Sequence, residues 1–408
     1  MKKKLERATY DVCVIGGAGH VGLPLGVSLA LAGHKTVLYD INESSIATIQ
    51  KGKFPFKEDD GDAHLKKALA KGTLTAASGP ASLITESKIV VMVIGTPVDE
   101  YLNPHLSDLM RALDKYRPYL RDGQTFMLRS TVFPGTSERI QEYFKSHKLK
   151  IGVAFCPERI VQGKAFKELQ SMPQIISAFD AKTLAVVRKL FTSMTKSGVV
   201  EVTPVEAELS KLFSNAWRYI SFAIVNQFYM MATELGVDYG NIHEALTKNY
   251  ERNKDLPRPG FAAGPCLFKD TMQLAAFNHN RFFLGHSAML INEGLPQFVI
   301  HHIKSQLPEG ALKSKTIGIL GMAFKAESDD HRDSLSFKLR KSALQEARAV
   351  LCHDVYLKHE VISPLSEVLT KSDIIILATP HKEYASIPKR QLKGKLVVDM
   401  WSHLPHVV

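Results

Sequence analysis

Apolar positions along this chain follow two alternating rhythms. Through the first half, short Val- and Ile-rich runs at Tyr10–Ile15, Thr36–Tyr39, Ile89–Ile94, Thr125–Leu128 and Ile151–Phe155 predict strands, and longer segments such as Leu23–Ala32 and Leu106–Leu120 predict helices between them. Strands that alternate with helices imply a parallel, doubly wound sheet. At Thr203 the rhythm changes. Thr203-Pro204-Val205-Glu206 reads as a capping box, with Thr203 as N-cap and proline at the first helical position. Helical patterning runs from there to about Leu235, again over Tyr239–Lys248, and again over Thr271–Ser305. From Lys315 the first rhythm returns, with strand-like runs at Thr316–Leu320, Ala349–His353, Asp373–Ala378 and Leu396–Met400. The order is α/β, helical, α/β, with expected domains at 1–202, 203–308 and 309–408.

A chain of 408 residues is too long for one ordinary core, and 45% hydrophobic with 23% charged residues is an ordinary globular composition. No apolar run approaches the ~20 residues of a membrane span. Met1-Lys2-Lys3-Lys4 leads into one short strand with no small-residue cleavage site, so the expected location is cytoplasmic, with no membrane partner. The formal charge of +11 raises the question of nucleic acid, but the basic residues are dispersed and form no arginine-rich stripe. No nucleic-acid partner is expected. The same positive field would steer a small polyanionic substrate, and a solvated basic surface accounts for it equally well. Cys13, Cys156, Cys266 and Cys352 form no CxxC pair, which excludes the usual zinc patterns and gives no disulfide framework; no metal is expected. Cys13 and Cys352 lie in apolar strand runs and Cys156 precedes Pro157-Glu158, so all three read as buried small hydrophobes.

Candidate chemistry begins after the first strand. Gly16-Gly17-Ala18-Gly19-His20-Val21-Gly22 contains G-x-G-x-x-G at Gly17, Gly19 and Gly22, opens a helix, and is followed by Asp40 at the end of the second strand. In that context the motif is a dinucleotide fingerprint of the Rossmann type. Gly17 is expected to permit the tight turn, Gly19 to let a pyrophosphate approach, and Gly22 to pack the helix on the sheet. Asp40 would accept from the adenine ribose hydroxyls and repel a 2′-phosphate, and Ile41-Asn42 supply no arginine, so NAD is expected as cofactor. Thr96-Pro97 and Ser130-Thr131 follow apolar strands and fall at the carboxyl edge of the sheet. The predicted fold is therefore α/β with two Rossmann-like doubly wound domains joined by a central helical domain.

Two further clusters lie beyond that domain. Lys211, Asn215 and Arg218 have i, i+4, i+7 spacing on one helix face, where a solvated polar stripe is the plainer reading. In Pro259-Gly260-Phe261-Ala262-Ala263-Gly264-Pro265-Cys266-Leu267-Phe268-Lys269-Asp270, a glycine-proline turn leads into a cysteine. With Pro265 as first helical residue, Cys266 would stand at a helix N-terminus, which lowers a thiol pKa, with Asp270 one turn on. That makes Cys266 a candidate nucleophile.

The ordered set of motifs resembles the nucleotide-sugar 6-dehydrogenases over nearly the whole chain. It comprises the glycine loop, Ser130-Thr131-Val132-Phe133-Pro134-Gly135-Thr136, Pro157-Glu158-Arg159, Lys211-x-x-x-Asn215 and Gly264-x-Cys266-x-x-Lys269-Asp270. Gly321-x-x-Phe324-Lys325, Asp330-x-Arg332-x-Ser334 and Thr379-Pro380-His381 complete it. The resemblance implies oxidation of a sugar C6 alcohol to the acid with two NAD, through a thiohemiacetal and a thioester on Cys266. It further implies that Lys211 and Asn215 stabilise oxyanions, that Asp270 with Thr131 handles water, and that Glu158 orients the sugar. By the same resemblance Gly17, Ala18, Gly19, His20, Val21, Gly22, Asp40, Thr96, Pro97, Ser130 and Thr131 hold the cofactor. Substrate contacts fall to Glu158, Arg159, Lys211, Asn215, Phe261, Gly264, Phe324, Lys325 and Arg332, with Arg252 donated across a homodimer interface.

Several positions depart from the family pattern. Ala263 stands in the glycine pair before the cysteine, Phe268 replaces a proline, His20 replaces an aromatic, Val355 replaces the proline after Asp354, and Gln162 replaces a second glutamate of the UDP-glucose branch. Pro157-Glu158-Arg159 and Gly264-Pro265-Cys266-Leu267 look more like the UDP-N-acetylhexosamine branch. Two alternatives stay open on sequence: a two-electron β-hydroxyacid dehydrogenase, which needs neither Cys266 nor the third domain, and a binding protein without activity.

Overall fold

The structure, a computed structural model, describes residues 8–95 and 106–405. It divides into two compact units, Met1–Phe213 and Ser214–Val408.

The first unit is built on eight strands: β1 (Tyr10–Ile15), β2 (Thr36–Tyr39), β3 (Leu74–Ala77), β4 (Ser87–Met92), β5 (Thr125–Leu128), β6 (Gly152–Phe155), β7 (Gln174–Ala178) and β8 (Val199–Glu201). They lie in the order β3-β2-β1-β4-β5-β6-β7-β8. Neighbours are parallel except at the β6–β7 pair, which is antiparallel. The chain travels outward from β1 to β3 and then returns to β4 on the other side of β1. That reversal opens a crevice at the carboxyl ends of β1 and β4, where ligands bind in such sheets.

Side chains of a strand alternate between faces, so β1 feeds two cores. Val12 and Val14 pack with Leu25, Leu29 and Leu38, whereas Cys13 and Ile15 pack with Val90, Leu113 and Phe126. Truncating a buried leucine such as Leu25 to alanine in this setting costs about 2–5 kcal/mol. Strands β3, β7 and β8 escape the hydrophobic pattern because Leu-Thr-Ala-Ala, Gln-Ile-Ile-Ser-Ala and Val-Val-Glu are short and mixed. β4 starts two residues earlier than its apolar run predicts and ends at Met92.

The long helix Pro204–Glu234 begins at the expected proline, and the Thr203 backbone N–H donates to Glu206 Oε2 at 2.7 Å, the return half of a capping box. The second unit holds the rest of that helix from Ser214, the helices Tyr239–Thr247, Leu267–Phe277 and Phe283–Ser305, and a parallel sheet. Its strands are β9 (Thr316–Leu320), β10 (Ala349–His353), β11 (Ile374–Leu377) and β12 (Leu396–Val398), in the order β10-β9-β11-β12. The helical run expected over Thr271–Ser305 is two helices. Between them His279 (φ 52°) and Asn280 (φ 56°) turn left-handed, a conformation that asparagine tolerates and that stops a helix. Helix and sheet share one core here: Leu295, Val299 and Ile303 pack with Ile317, Ile319 and Leu339. Among the described residues no helix is long and apolar enough to cross a membrane.

Candidate active site

The glycine loop lies at the crevice, and its geometry corrects the roles assigned to two glycines. The left-handed turn residue is Gly16 (φ +81°), not Gly17, and a Cβ on Gly16 would meet Val93 O at 1.8 Å. Gly17 is needed because β2 passes beside it: its Cβ would lie 2.8 Å from Leu38 Cα. Gly22 packs against the turn, not the sheet, since its Cβ would fall 2.2 Å from Gly16 O. Gly19 has open space, with nothing nearer than Gly16 O at 3.6 Å. A methyl there would fill the room through which a pyrophosphate reaches the helix that starts at Gly22, with Val21 as its N-cap. Asp40 follows β2 directly. Its Oδ2 accepts from the Ala18 N–H at 3.0 Å and its Oδ1 from the Asn42 N–H at 3.0 Å, which aims the carboxylate at the loop. Cradle, helix terminus and carboxylate fit a dinucleotide.

His20, where the family pattern has an aromatic, packs as a ring here. Its ring lies 3.9 Å from that of Phe56, centroid to centroid, and Gln162 Nε2 is 2.8 Å from its Nδ1. Ser130 is buried, and its hydroxyl donates to Ile94 O at 2.8 Å and accepts from Ile94 N at 2.9 Å, tying the ends of β4 and β5 together. Thr131 beside it is half-buried. Thr96 and Pro97 lie outside the described residues.

Sequence patterning gave no sign of Arg129, which follows β5 and is 1% exposed. Its Nε donates to Glu158 Oε2 at 2.9 Å, its Nη2 reaches the same oxygen and Gln174 Oε1, and its Nη1 donates to Cys156 O at 3.0 Å. The guanidinium also lies over the Phe191 ring, 4.9 Å from its centroid. The other Glu158 oxygen accepts from the N–H groups of Arg159 and Ile160 at 2.7 and 3.0 Å. Glu158, expected to meet the sugar, is thus held on both oxygens inside this unit. The guanidinium of Arg159 donates to Pro173 O, and burial lowers its pKa. Glu208 was also missed. Early in the long helix, it accepts from the N–H of Gly135 and from the N–H and hydroxyl of Ser137 at 2.6, 2.8 and 2.6 Å, and burial raises its pKa against those bonds. It caps the helix Thr136–Ser146.

In the second unit Cys266 is exposed at the N-cap of the helix Leu267–Phe277, so Pro265 precedes the helix instead of opening it. The remaining thiols are buried: desolvation pushes Cys13 and Cys156 up to about 12 and Cys352 to about 11. Asp270 closes the first turn, donating its N–H to Cys266 O at 2.8 Å, and its side chain is fully buried. Asn215 Nδ2 donates to Asp270 Oδ2 at 2.5 Å, and Lys269 Nζ lies 2.8 Å from Oδ1. Asn215 is buried, Lys211 half-buried and Arg218 exposed along the long helix.

The cysteine loop is fixed at two points. Gly264 (φ +100°) lies under the Phe324 ring, which an added Cβ would meet at 2.5 Å, and its N–H donates to Asp333 O at 3.2 Å. Of the glycine pair expected before the cysteine, only this second member needs to be glycine, which explains how Ala263 is accommodated. Gly260 lies against the Trp401 indole, which a Cβ would meet at 2.1 Å, and Asn226 holds it by donating to its carbonyl at 3.0 Å and accepting from its N–H at 2.7 Å. Phe268 takes an edge contact with Tyr219, ring centroids 6.3 Å apart. Phe261 is buried in the core. Arg332 forms a forked pair with Asp330, Nε to Oδ1 and Nη2 to Oδ2 at 3.0 and 2.6 Å, and Lys325 is half-buried. Asp354, with valine after it, anchors the segment before Phe324 by accepting from the N–H groups of Met322 and Ala323 at 2.6 and 2.9 Å. Arg252 stands exposed on the short turn Glu251–Asn253.

Among known proteins, residues 10–195 match the NAD binding domain of the UDP-glucose/GDP-mannose dehydrogenase family, 205–293 its central domain, and 318–406 its UDP binding domain. A UDP-N-acetyl-D-mannosamine dehydrogenase of Pyrococcus horikoshii is 30% identical over 94% of this chain and 93% of its own length. One from Methanococcus aeolicus is 26% identical over 100% of this chain and 94% of its own. The solved structure of a UDP-D-ManNAc dehydrogenase from P. horikoshii superposes with a TM-score of 0.88 at 27% identity, covering 97% of each chain. A glycine cradle with Asp40, a cysteine helix and a second parallel sheet occur in that family's order, and this chain belongs to the UDP-glucose/GDP-mannose dehydrogenase family of NAD-dependent oxidoreductases acting on nucleotide sugars.

Proposed function

We propose that this protein oxidises the C6 alcohol of a UDP-N-acetylhexosamine, UDP-N-acetylmannosamine foremost, to the uronate through Cys266. The observation that carries the reading is an exposed thiol at a helix N-cap with a buried carboxylate one turn behind it, fastened by Asn215 and Lys269. NAD held at the glycine loop would supply the hydride acceptor for each of two oxidations at C6, the hydroxyl proton passing to solvent each time. The Cys266 thiolate adds to the aldehyde carbon left by the first, and the thiohemiacetal becomes a thioester in the second. Water then adds to the thioester carbonyl while Asp270 takes up its proton. The C–S bond breaks with both electrons on sulfur, which restores the thiolate and releases the acid.

Lys211 and Asn215 supply donors to the oxyanions formed on the way. The span 1–202 serves the cofactor, 203–308 carries the thiol, and 309–408 takes the uridine nucleotide through Phe324, Lys325 and Arg332. The sugar assignment is supported by the names of the relatives and by Gln162, a neutral residue where the UDP-glucose branch carries a glutamate. The protein acts in the cytoplasm as a homodimer. Trp217, Ile224, Phe228 and Met231, all exposed, make one apolar stripe on the long helix, and a groove beside it is lined by Leu284 and Ile291.

The deciding experiment is a panel of nucleotide sugars followed by NADH fluorescence and product mass. Two NADH per uronate, with UDP-N-acetylmannosamine preferred over UDP-glucose, are expected. One NADH per turnover, an aldehyde product, or full turnover by Cys266→Ala would overturn the reading.

A further inference from the structure

Buried polar side chains in folded proteins almost always have hydrogen-bond partners, so each exception asks for a reason. Gln273 is such an exception. It is fully buried on the helix Leu267–Phe277, and neither its Nε2 nor its Oε1 has a partner among the described residues. Asp270 Oδ1 is a second: Lys269 Nζ pairs with it as an ion at 2.8 Å, but it accepts no hydrogen bond among the described residues. The two belong together. At 100° per residue, positions 266, 270 and 273 fall within about 60° of one another, so Cys266, Asp270 and Gln273 share one helix face. Gln273 sits about 4.5 Å further along the axis than Asp270. That offset suits one water bonded to both residues, and such a water needs two to four polar partners. The Gln273 amide offers a donor and an acceptor, and Asp270 Oδ1 an acceptor.

We propose that Gln273 is a positioning residue for the hydrolytic half of the reaction, holding a buried water against Asp270 Oδ1. Asn215 fixes one oxygen of Asp270 from the side of the long helix, and the water gives the other, already ion-paired with Lys269, the hydrogen bond it lacks. The carboxylate is thereby kept in the orientation from which it takes the proton of the attacking water at the thioester. The hydride transfers, which need no water, do not depend on it. This rests on the thioester reading given above.

The test is Gln273→Met, which keeps the volume and removes both polar atoms. In single-turnover kinetics with UDP-N-acetylmannosamine and excess NAD, the NADH burst should keep its rate and amplitude. Hydrolysis should slow about tenfold, so that the acyl-enzyme accumulates and is seen by mass spectrometry as an adduct on Cys266. Unchanged hydrolysis together with a raised melting temperature would mean an orphaned amide with no water, and would overturn the proposal. So would equal slowing of burst and hydrolysis, which marks a general distortion. A high-resolution crystal structure of the unaltered protein gives an answer independent of folding of the variant: a water bonded to both Gln273 and Asp270 is expected, and its absence refutes the proposal. If the unaltered protein gives no acyl-enzyme while that water is present, the thioester reading fails and the water site stands.

Discussion

Replacing Arg129 with methionine isolates what a buried charge is worth here. The side chain is 1% exposed and pairs with Glu158, itself 6% exposed. Removing one partner of a buried ion pair leaves the other charge without compensation and costs about 3–5 kcal/mol. For a unit of this size each kcal/mol moves a melting transition by about 2–4 °C, so Arg129→Met should lower the transition by roughly 6–20 °C. The double variant Arg129→Met/Glu158→Gln should recover most of that. The oxygen of the introduced amide can still accept from the N–H groups of Arg159 and Ile160, and its nitrogen can turn to Gln174 Oε1.

Scanning calorimetry at pH 8 is the assay. A single variant within 2 °C of the parent at pH 8, or a double variant less stable than the single, would refute the reasoning.

The glycine loop offers a contrast between two alanines. Gly19→Ala meets nothing in the fold and should melt normally while weakening NAD binding more than tenfold, whereas Gly22→Ala, 2.2 Å from Gly16 O, should lower the melting temperature; titration calorimetry and melting curves read both. Iodoacetamide at pH 8 should label Cys266 alone in the native protein, since the other thiols are buried and titrate near 11 to 12; peptide mapping that finds Cys13, Cys156 or Cys352 labelled at a similar rate would contradict this. Trp217→Glu places a charge in the apolar stripe and should turn a dimer into a monomer by sedimentation at micromolar concentration; a stable dimer would move the interface elsewhere.

Much of this architecture could be read from periodicity and punctuation. β1, β2, β5, β9 and β10 coincide with their apolar runs, and the proline after Thr203 marks the start of the long helix, because those signals are local. What escaped was non-local. Arg129 reads as one more charge until β6 and β7 bring Glu158, Cys156 and Gln174 around it. The turn falls at Gly16, where Val93 closes on the backbone, and Gly17 must be glycine because Leu38 on the neighbouring strand lies against it, two contacts made far along the chain. The helical run over Thr271–Ser305 conceals its break, since Asn278-His279-Asn280 stops a helix by backbone conformation while its neighbours keep the helical period. Family motifs placed Cys266 and Asp270 on one helix, but Gln273 belongs to no motif and shows itself only as a buried amide without a partner among the described residues.

The contact between Gly260 and Trp401 also bears on when the enzyme comes alive. Trp401 follows β12, and its indole Nε1 donates to Ala378 O at 3.1 Å, so the ring reaches its place only when the last strand has paired with β11. Chains emerge from the ribosome amino end first, and their domains fold in that order. The dinucleotide unit can form early, but the loop that carries the nucleophile waits for β12 and Trp401 to be made before its backbone is fully braced. A nascent chain held short of β12 should therefore bind NAD and still lack a finished thiol site, which keeps a reactive cysteine from maturing ahead of the protein around it.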